Sequence, residues 1–433
     1  MGPLADGSWG TFPVSRLVAS SRGLHADLSR LLAIGSSHGA LFDRQNLHAA
    51  TARTVLGPPG RGELNEVADA SVPVINLASN SYLELGNDPR VKAAAIAAVE
   101  RHGTHMGGSR LLCGTAEIHW EFERRLAAFF EASSVVTYGS GYVTNVSLIS
   151  ALFGPGDLII IDRQAHRSIY DGALLSRATV RRFAHNDLDH LDLVLKRTSA
   201  VRRRLVAVDG VYSMNGHICP LPEVASLTRS HGAFLFVDDA HAIGVLGAHG
   251  RGTVEHFGLD PELIDIRIGT LSKALPAVGG FALTQRDVAV LLRYTSHGAL
   301  YSAAMTPPDV AVAMAAMEIL GSDVDLVERL RRNASFFRDA LQRRGLDILG
   351  SQTAIVPIRI GDSRATLDVA AALLKRGIFV NPVIYPAVPK GAERLRCFVM
   401  ASHSTADLEY AAAGIEETVN ADAALHSARP SRP

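Results

Sequence analysis

Apolar and polar positions alternate through the middle of this 433-residue chain in a way that sets strands and helices in turn. Short apolar runs at Val135–Tyr138, Leu158–Ile161, Val180–Phe183, Leu205–Val208, Phe234–Val237 and Ile264–Ile268 predict strands. Helical runs lie between them, Pro222 to His231 among them. This alternation predicts an α/β fold with a mostly parallel sheet and helices on both faces. Upstream, Pro73–Ala78 reads as a strand, and Asp88–Arg101 as a helix with Asp88 as N-cap and Pro89 first. From Thr115 a helix gathers Ile118, Phe122, Leu126 and Phe129 on one face. His119, near that face, is expected to be a hydrogen-bonded structural residue.

Past Pro307 a helix over Asp309–Leu320 leads into a second α/β unit. It comprises helix Asp323–Arg344, strand Ile355–Ile360, helix Thr366–Lys375 and strand Ile378–Val380. The expected organisation is an arm at 1–70, a large domain at 71–308, a small domain at 309–425 and a disordered tail at 426–433. Within the arm, Leu17, Leu24, Leu28 and Leu32 suggest a helix over Ser15–Ile34, and Gly57–Gly62 suggests a turn-rich joint.

Composition narrows the class. At 47 % hydrophobic residues the chain can bury a large core, and 43 basic residues balance 43 acidic ones. Balanced charge gives no case for nucleic acid or an anionic membrane surface. Cys113, Cys219 and Cys397 lack the pairing or spacing of a disulfide framework or zinc site. With no secretory n-region and apolar core at the start, a cytoplasmic protein is expected.

Candidate chemistry gathers where predicted strands end, the edge on which open parallel sheets place their ligands. The run Ile264–Gly280 carries Lys273 on a loop between two buried strand-like segments, flanked by hydroxyls. A desolvated lysine loses its proton and becomes a nucleophile towards an aldehyde. Only five lysines occur in the chain, so solubility does not explain this one. Ser140-Gly141-Tyr142 follows a strand and opens a helix, where backbone N–H groups cradle phosphate. His166 offers a flat ring. Asp238, at the end of an apolar strand, requires a cationic partner, and His241 follows three residues on. Ser213 is a further donor, and Arg394 carries a fork suited to a carboxylate. Each has a structural alternative: a loop lysine bonded to carbonyls, a plain glycine turn, a surface ion pair. Metal ligation by Asp238, Asp239 and His241 lacks the further ligand it would need.

Taken in order, Asn80, Gly107-Gly108-Ser109-Arg110, Ser140-Gly141-Tyr142, His166, Asp238-Asp239-Ala240-His241, Gly269-Thr270-Leu271-Ser272-Lys273 and Val388–Arg396 resemble the α-oxoamine synthases. Arg182-Phe183-Ala184-His185-Asn186-Asp187 is similar too, so the likeness spans about Asn76 to His403. The resemblance implies the type I fold of pyridoxal-phosphate-dependent transferases and an acyltransferase that uses pyridoxal 5′-phosphate. It implies that Lys273 carries the cofactor and moves protons, Asp238 pairs with the ring nitrogen, His241 and Ser213 touch the ring oxygen, and His166 stacks on the ring. Ser140, Gly141, Tyr142 and Thr270 resemble the phosphate cup, Ser302 a phosphate contact from the neighbouring subunit, and Asn80 and Arg394 groups that hold the amino acid. A homodimer with shared sites is implied. The implied reaction condenses glycine, alanine or serine with an acyl thioester of CoA or acyl-carrier protein. Carbon dioxide and a thiol leave, and an α-amino ketone remains.

Several positions depart from the family pattern. His105-Met106 stands where small residues are usual, Pro276 replaces a glycine, Asn215 replaces an acid, and Ala303 stands where Thr is frequent. Leu111 follows Arg110 where aminolaevulinate synthases carry an asparagine, which disfavours a succinyl donor. These departures suggest a specialised biosynthetic synthase, with 8-amino-7-oxononanoate synthase of biotin synthesis as the alternative. An aminotransferase or lyase on the same fold is a further alternative, as is a silent partner subunit, against which Lys273 argues.

Overall fold

A computed structural model describes residues 41, 44–47, 49–59 and 71–427. The expected helix at Ser15–Ile34 lies outside them. The chain divides into two compact units, residues 1–48 with 55–73 and residues 49–54 with 74–433. In the first, strand β1 (Arg44–Asn46) runs antiparallel to β2 (Arg53–Pro59), Asn46 opposite Leu56. Gly57–Pro59, expected in a turn, therefore belong to a strand.

The second unit is built on a seven-stranded sheet ordered β4-β10-β9-β8-β7-β5-β6. Its strands are β4 (Ser134–Tyr138), β5 (Leu158–Asp162), β6 (Thr179–Phe183), β7 (Arg204–Asp209), β8 (Phe234–Asp238), β9 (Ile266–Ser272) and β10 (Pro276–Thr284). The pairs β5–β6, β5–β7, β7–β8 and β8–β9 are parallel, and β10 is antiparallel to both β9 and β4. Six strands thus point the same way and β10 alone runs back. The predicted α/β architecture is present, and the carboxyl ends of β4, β5, β7, β8 and β9 share one edge.

Burial on both faces explains why these strands read as unbroken apolar runs. Ile159, Ile161, Leu205, Ala207 and Phe236 pack with Leu148, Ile149 and Ile169 of the helices Gly141–Leu152 and Arg167–Ser176. Leu158, Ile160, Val206, Val208 and Leu235 face the other way, against Leu191, Leu221 and Val224. Period-two alternation within each run sends successive side chains into separate cores.

The last stretch forms a three-stranded antiparallel sheet, β11 (Ile355–Arg359), β14 (Arg394–Phe398) and β13 (Asn381–Val383), in that order. Four expectations are corrected here. The Ile264–Ile268 strand does not end before the lysine turn: β9 continues through Ser272, because the pairing Pro276↔Ser272 carries the hairpin ladder to within three residues of closure. The strand expected at Ile378–Val380 is β12 (Ile378–Phe379), and it pairs in parallel with β3 (Val72–Asn76) through Ile75 and Asn76. Arg394 and Arg396 sit on a strand, β14, where the sequence pattern assigned no element. A helix over Thr405–Ser427 was not foreseen and includes His426, assigned above to a disordered tail.

Among the described residues no helix is long and apolar enough to cross a membrane, and no cluster of three or more His, Cys, Asp or Glu is placed to hold a metal.

Candidate active site

The common sheet edge gathers the predicted side chains, each delivered by the turn after its own strand. After β4, Ser140 caps the helix Gly141–Leu152, its hydroxyl accepting from Val143 N at 3.1 Å. The helix N-terminus docks on the β9–β10 hairpin. A Cβ on Gly141 would meet Thr270 Oγ1 at 2.9 Å, and one on Gly280 would meet Gly141 N at 2.7 Å. Only glycine permits that approach, which keeps the first-turn N–H groups and the positive helix end beside Thr270. Thr270 is buried, its hydroxyl 3.0 Å from Ser272 Oγ and 3.3 Å from Gly279 O. The Tyr142 ring is exposed and its hydroxyl donates to Asp171 at 2.7 Å, so only its backbone N–H stands at the helix start.

After β8 the two aspartates separate by partner. Asp239 is fully buried and bonds Arg267 Nε at 2.9 Å and Thr253 Oγ1 at 2.6 Å, a structural pair. Asp238, buried too, accepts from Asn145 Nδ2 at 2.6 Å and Ala240 N at 3.0 Å. Among the described residues it has no salt-bridge partner within 4.0 Å. Asn145 also donates to Ser168 Oγ at 2.8 Å, and Ser168 Oγ lies 2.7 Å from His166 Nδ1. A continuous chain Asp238–Asn145–Ser168–His166 therefore fixes the imidazole plane. His166 caps the helix Arg167–Ser176, its N–H held by Asp209 at 3.0 Å, and its ring is open to solvent on one side.

His241 is buried, and burial pushes its pKa well below the usual imidazole range, with Lys273, Arg396 and His166 adding to the effect. Its Nδ1 lies 2.8 Å from the hydroxyl of Tyr82, a phenol whose pKa burial raises. With the phenol as donor, the neutral imidazole carries its proton on Nε2. Asn80 sits two residues before Tyr82, its carbonyl accepting Tyr82 N at 2.9 Å.

Lys273 occupies the three-residue hairpin turn between β9 and β10. Burial lowers its ammonium pKa, Arg396 adds to this, and the carboxylates of Asp238 and Asp209 oppose it. The result is an amine more readily neutral than an ordinary lysine, facing two acids. Asp209 is paired in register with Asp238 across β7 and β8, and burial together with Asp238 raises its pKa well above the carboxylate range.

Sequence reasoning selected one of two arginines on β14. Arg394 is buried against Asn215 Oδ1 and donates to Ala392 O at 2.9 Å. Arg396 is the one coupled electrostatically to Lys273, His241 and Tyr82. It donates to Ser213 O at 3.2 Å, lies over the Phe398 ring, and has a buried Nε with no partner. That orphaned donor and its neighbours were invisible in the run Arg394-Leu395-Arg396. Ser302 lies beside Gly139 of its own chain, its hydroxyl 3.7 Å from where a Cβ on that glycine would sit.

Residues 72–415 match the family model of aminotransferase class I and II. The chain is 42 % identical to 8-amino-7-oxononanoate synthase of Geobacter sulfurreducens over 84 % of its own length and 92 % of that protein. It is 45 % identical to the enzyme of the same name from Geobacter metallireducens, covering 86 % and 94 %. Among solved structures, serine palmitoyltransferase from S. paucimobilis with bound PLP and myriocin superposes with a TM-score of 0.86 at 31 % identity, covering 94 % of this chain and 99 % of that one. Sphingomonas wittichii serine palmitoyltransferase gives 0.85 at 32 %, with the same coverage. The chain belongs to the aminotransferase class I and II family and, within it, to the α-oxoamine synthases.

Proposed function

We propose that this protein is a pyridoxal-phosphate-dependent C-acyltransferase that joins a small amino acid to an acyl thioester with loss of carbon dioxide. The observation that carries the reading is the Lys273 amine, lowered in pKa, set on one sheet edge with a helix N-terminus and a buried carboxylate lacking a bonded cation. Those residues fit the cofactor. The helix end at Gly141 and the Thr270 hydroxyl suit its phosphate, Asp238 suits a protonated ring nitrogen, the open face of His166 suits a stacked ring, and His241 Nε2–H suits the ring oxygen. When bound, pyridoxal phosphate supplies an electron sink for negative charge at the substrate Cα.

The chain's own groups do the rest. Lys273 Nζ would hold the cofactor covalently and, once the substrate's amino group has displaced it, would as a neutral amine take the proton from the substrate Cα and later return one. Asp238, steadied by Asn145, would keep the ring nitrogen protonated. Arg396, with its free Nε donor, orients the carboxylate of the amino acid beside Lys273. Holding both substrates in one site replaces a bimolecular encounter. The substrates are a small amino acid and a CoA or carrier-protein thioester, and the working unit is a homodimer.

Two measurements test this. Purified protein should absorb in the visible, and borohydride should fix the cofactor to the peptide containing Lys273, while Lys273→Ala should lose both signals and at least ~10³-fold in turnover. Turnover crossing glycine, alanine and serine with acyl-CoAs of graded length then gives the donor. Vigorous 8-amino-7-oxononanoate formation from pimeloyl-CoA and alanine would remove the specialised reading, and keto-acid release without thioester would point to an aminotransferase.

A further inference from the structure

A second cavity, of about 460 Å³, is walled by Ile218, by Val245–Gly247, by the helix Val324–Arg343 and by Gln352–Ala354. Its size is that of a small-ligand pocket, and none of the candidate site residues lines it. Three guanidinium groups, Arg331, Arg332 and Arg338, line it against one carboxylate, Glu328. Glu328 lies 3.5 Å from Arg331. Arg338 is half-buried and donates only to a carbonyl, Thr353 O at 2.7 Å. Among the described residues neither Arg332 nor Arg338 makes a salt bridge. Clustered like charges beside a half-buried surface cost stability unless an anion enters among them. Ile218, Leu246 and Ala354 give the cavity an apolar part of its lining.

We propose that this cavity binds a small phosphate-bearing metabolite and acts as an effector site. Three lining arginines against the lining carboxylate Glu328, with Asp339 acting on Arg338 from outside the wall, leave an excess of positive charge that suits a phosphate, and the guanidinium fork fits phosphate oxygens. The apolar part of the lining accommodates an organic body.

Both walls continue into the candidate active site, and the effector role rests on that reading of the site. Val245 follows Gly244, whose φ is 73° and whose Cβ, if it had one, would sit 2.3 Å from that of Ala274, next to Lys273. Ile218 N donates to Gln352 Oε1 at 2.9 Å, and Gly216 O accepts from Gln352 N and Thr353 Oγ1 at 3.1 Å each. A ligand drawn against these walls therefore presses on the turns that carry His241 and Ser213 and on the lysine hairpin.

Calorimetric titration of protein saturated with pyridoxal phosphate, so that the phosphate cup is filled, provides the test. Probes are inorganic phosphate, phenyl phosphate and benzoate. Phenyl phosphate should bind once per chain and most tightly, and R331A/R332A, changed at exposed positions, should weaken it by roughly tenfold or more. R338Q should do the same. Benzoate binding as tightly as phenyl phosphate, no saturable heat, or affinity unchanged in both variants would overturn the assignment. Saturating phenyl phosphate should alter the condensation rate at low amino acid by about fivefold, an effect absent in R331A/R332A; an unaltered rate refutes the effector role. Binding without any condensation activity would instead sink the reading of the main site and leave this pocket standing.

Discussion

Arg394 and Arg396 lie two residues apart on β14, yet their surroundings divide them. Arg394 is consumed by Asn215 and backbone carbonyls, whereas Arg396 has a buried, unused donor beside Lys273 and His241. Removing a buried charge that a substrate must pair with costs about 2–5 kcal/mol. Arg396→Gln should therefore raise KM for the amino acid roughly a hundredfold. Arg394→Gln should leave KM within a few-fold and lower the urea midpoint instead; the opposite pattern would restore Arg394 to the carboxylate. Sequence named Arg394 alone, because period two puts both arginines on one face and only tertiary contacts separate them. Lys273, Asp238, His166 and His241 were legible, since each follows an apolar strand at a known edge. Asn145, Ser168 and Tyr82 were not: each bonds a partner 23 to 159 positions away, and no local pattern encodes that.

Elements with strong local signals formed where expected, as at Pro89–His102, where Asp88 accepts from Arg90 N and proline opens the first turn. Those set by long-range pairing did not. The β9–β10 ladder overrides the glycine-rich reading of Gly269 to Ser272, and the alanine-rich face of Thr405–Ser427 hides its amphipathic pattern. His403, just before that helix, ties it to the β14 exit. Its buried Nδ1 accepts from Met400 N at 2.9 Å, and burial depresses its pKa to about 4. A base that charges more easily unfolded than folded favours the unfolded chain as protons are added. Stability is therefore intact above about pH 6.5 and falls as pH drops towards 4, by at most about 3 kcal/mol. Urea unfolding between pH 7 and pH 4 should show this slope, and His403→Asn, which keeps an acceptor and cannot charge, should flatten it by a comparable amount. Equal slopes in both proteins would remove His403 from the acid response.

At the scale of the whole molecule the candidate site borders an uncovered apolar surface. Leu112 and Tyr301 are each 81 % exposed and Val278 is 62 % exposed. The segments that carry them adjoin: Ala304 N donates to Gly108 O at 2.9 Å, and Met305 packs where a Cβ on Gly279 would sit. Large apolar side chains exposed on adjoining segments suit a surface that another chain covers. Ser302, in the middle of it, stands beside the glycine turn that leads to Ser140, so a second copy docking here would close over the phosphate cup. An isologous dimer buries the same patch twice, which makes one charge at its centre count twice. Wild-type protein should sediment at twice the 46.1 kDa chain mass. Leu112→Asp should shift it towards monomer, lower affinity for pyridoxal phosphate by roughly tenfold or more, and leave far-ultraviolet circular dichroism unchanged. A wild-type chain that sediments as a monomer while holding its cofactor tightly would mean that this surface serves some other purpose and that each chain completes its own site.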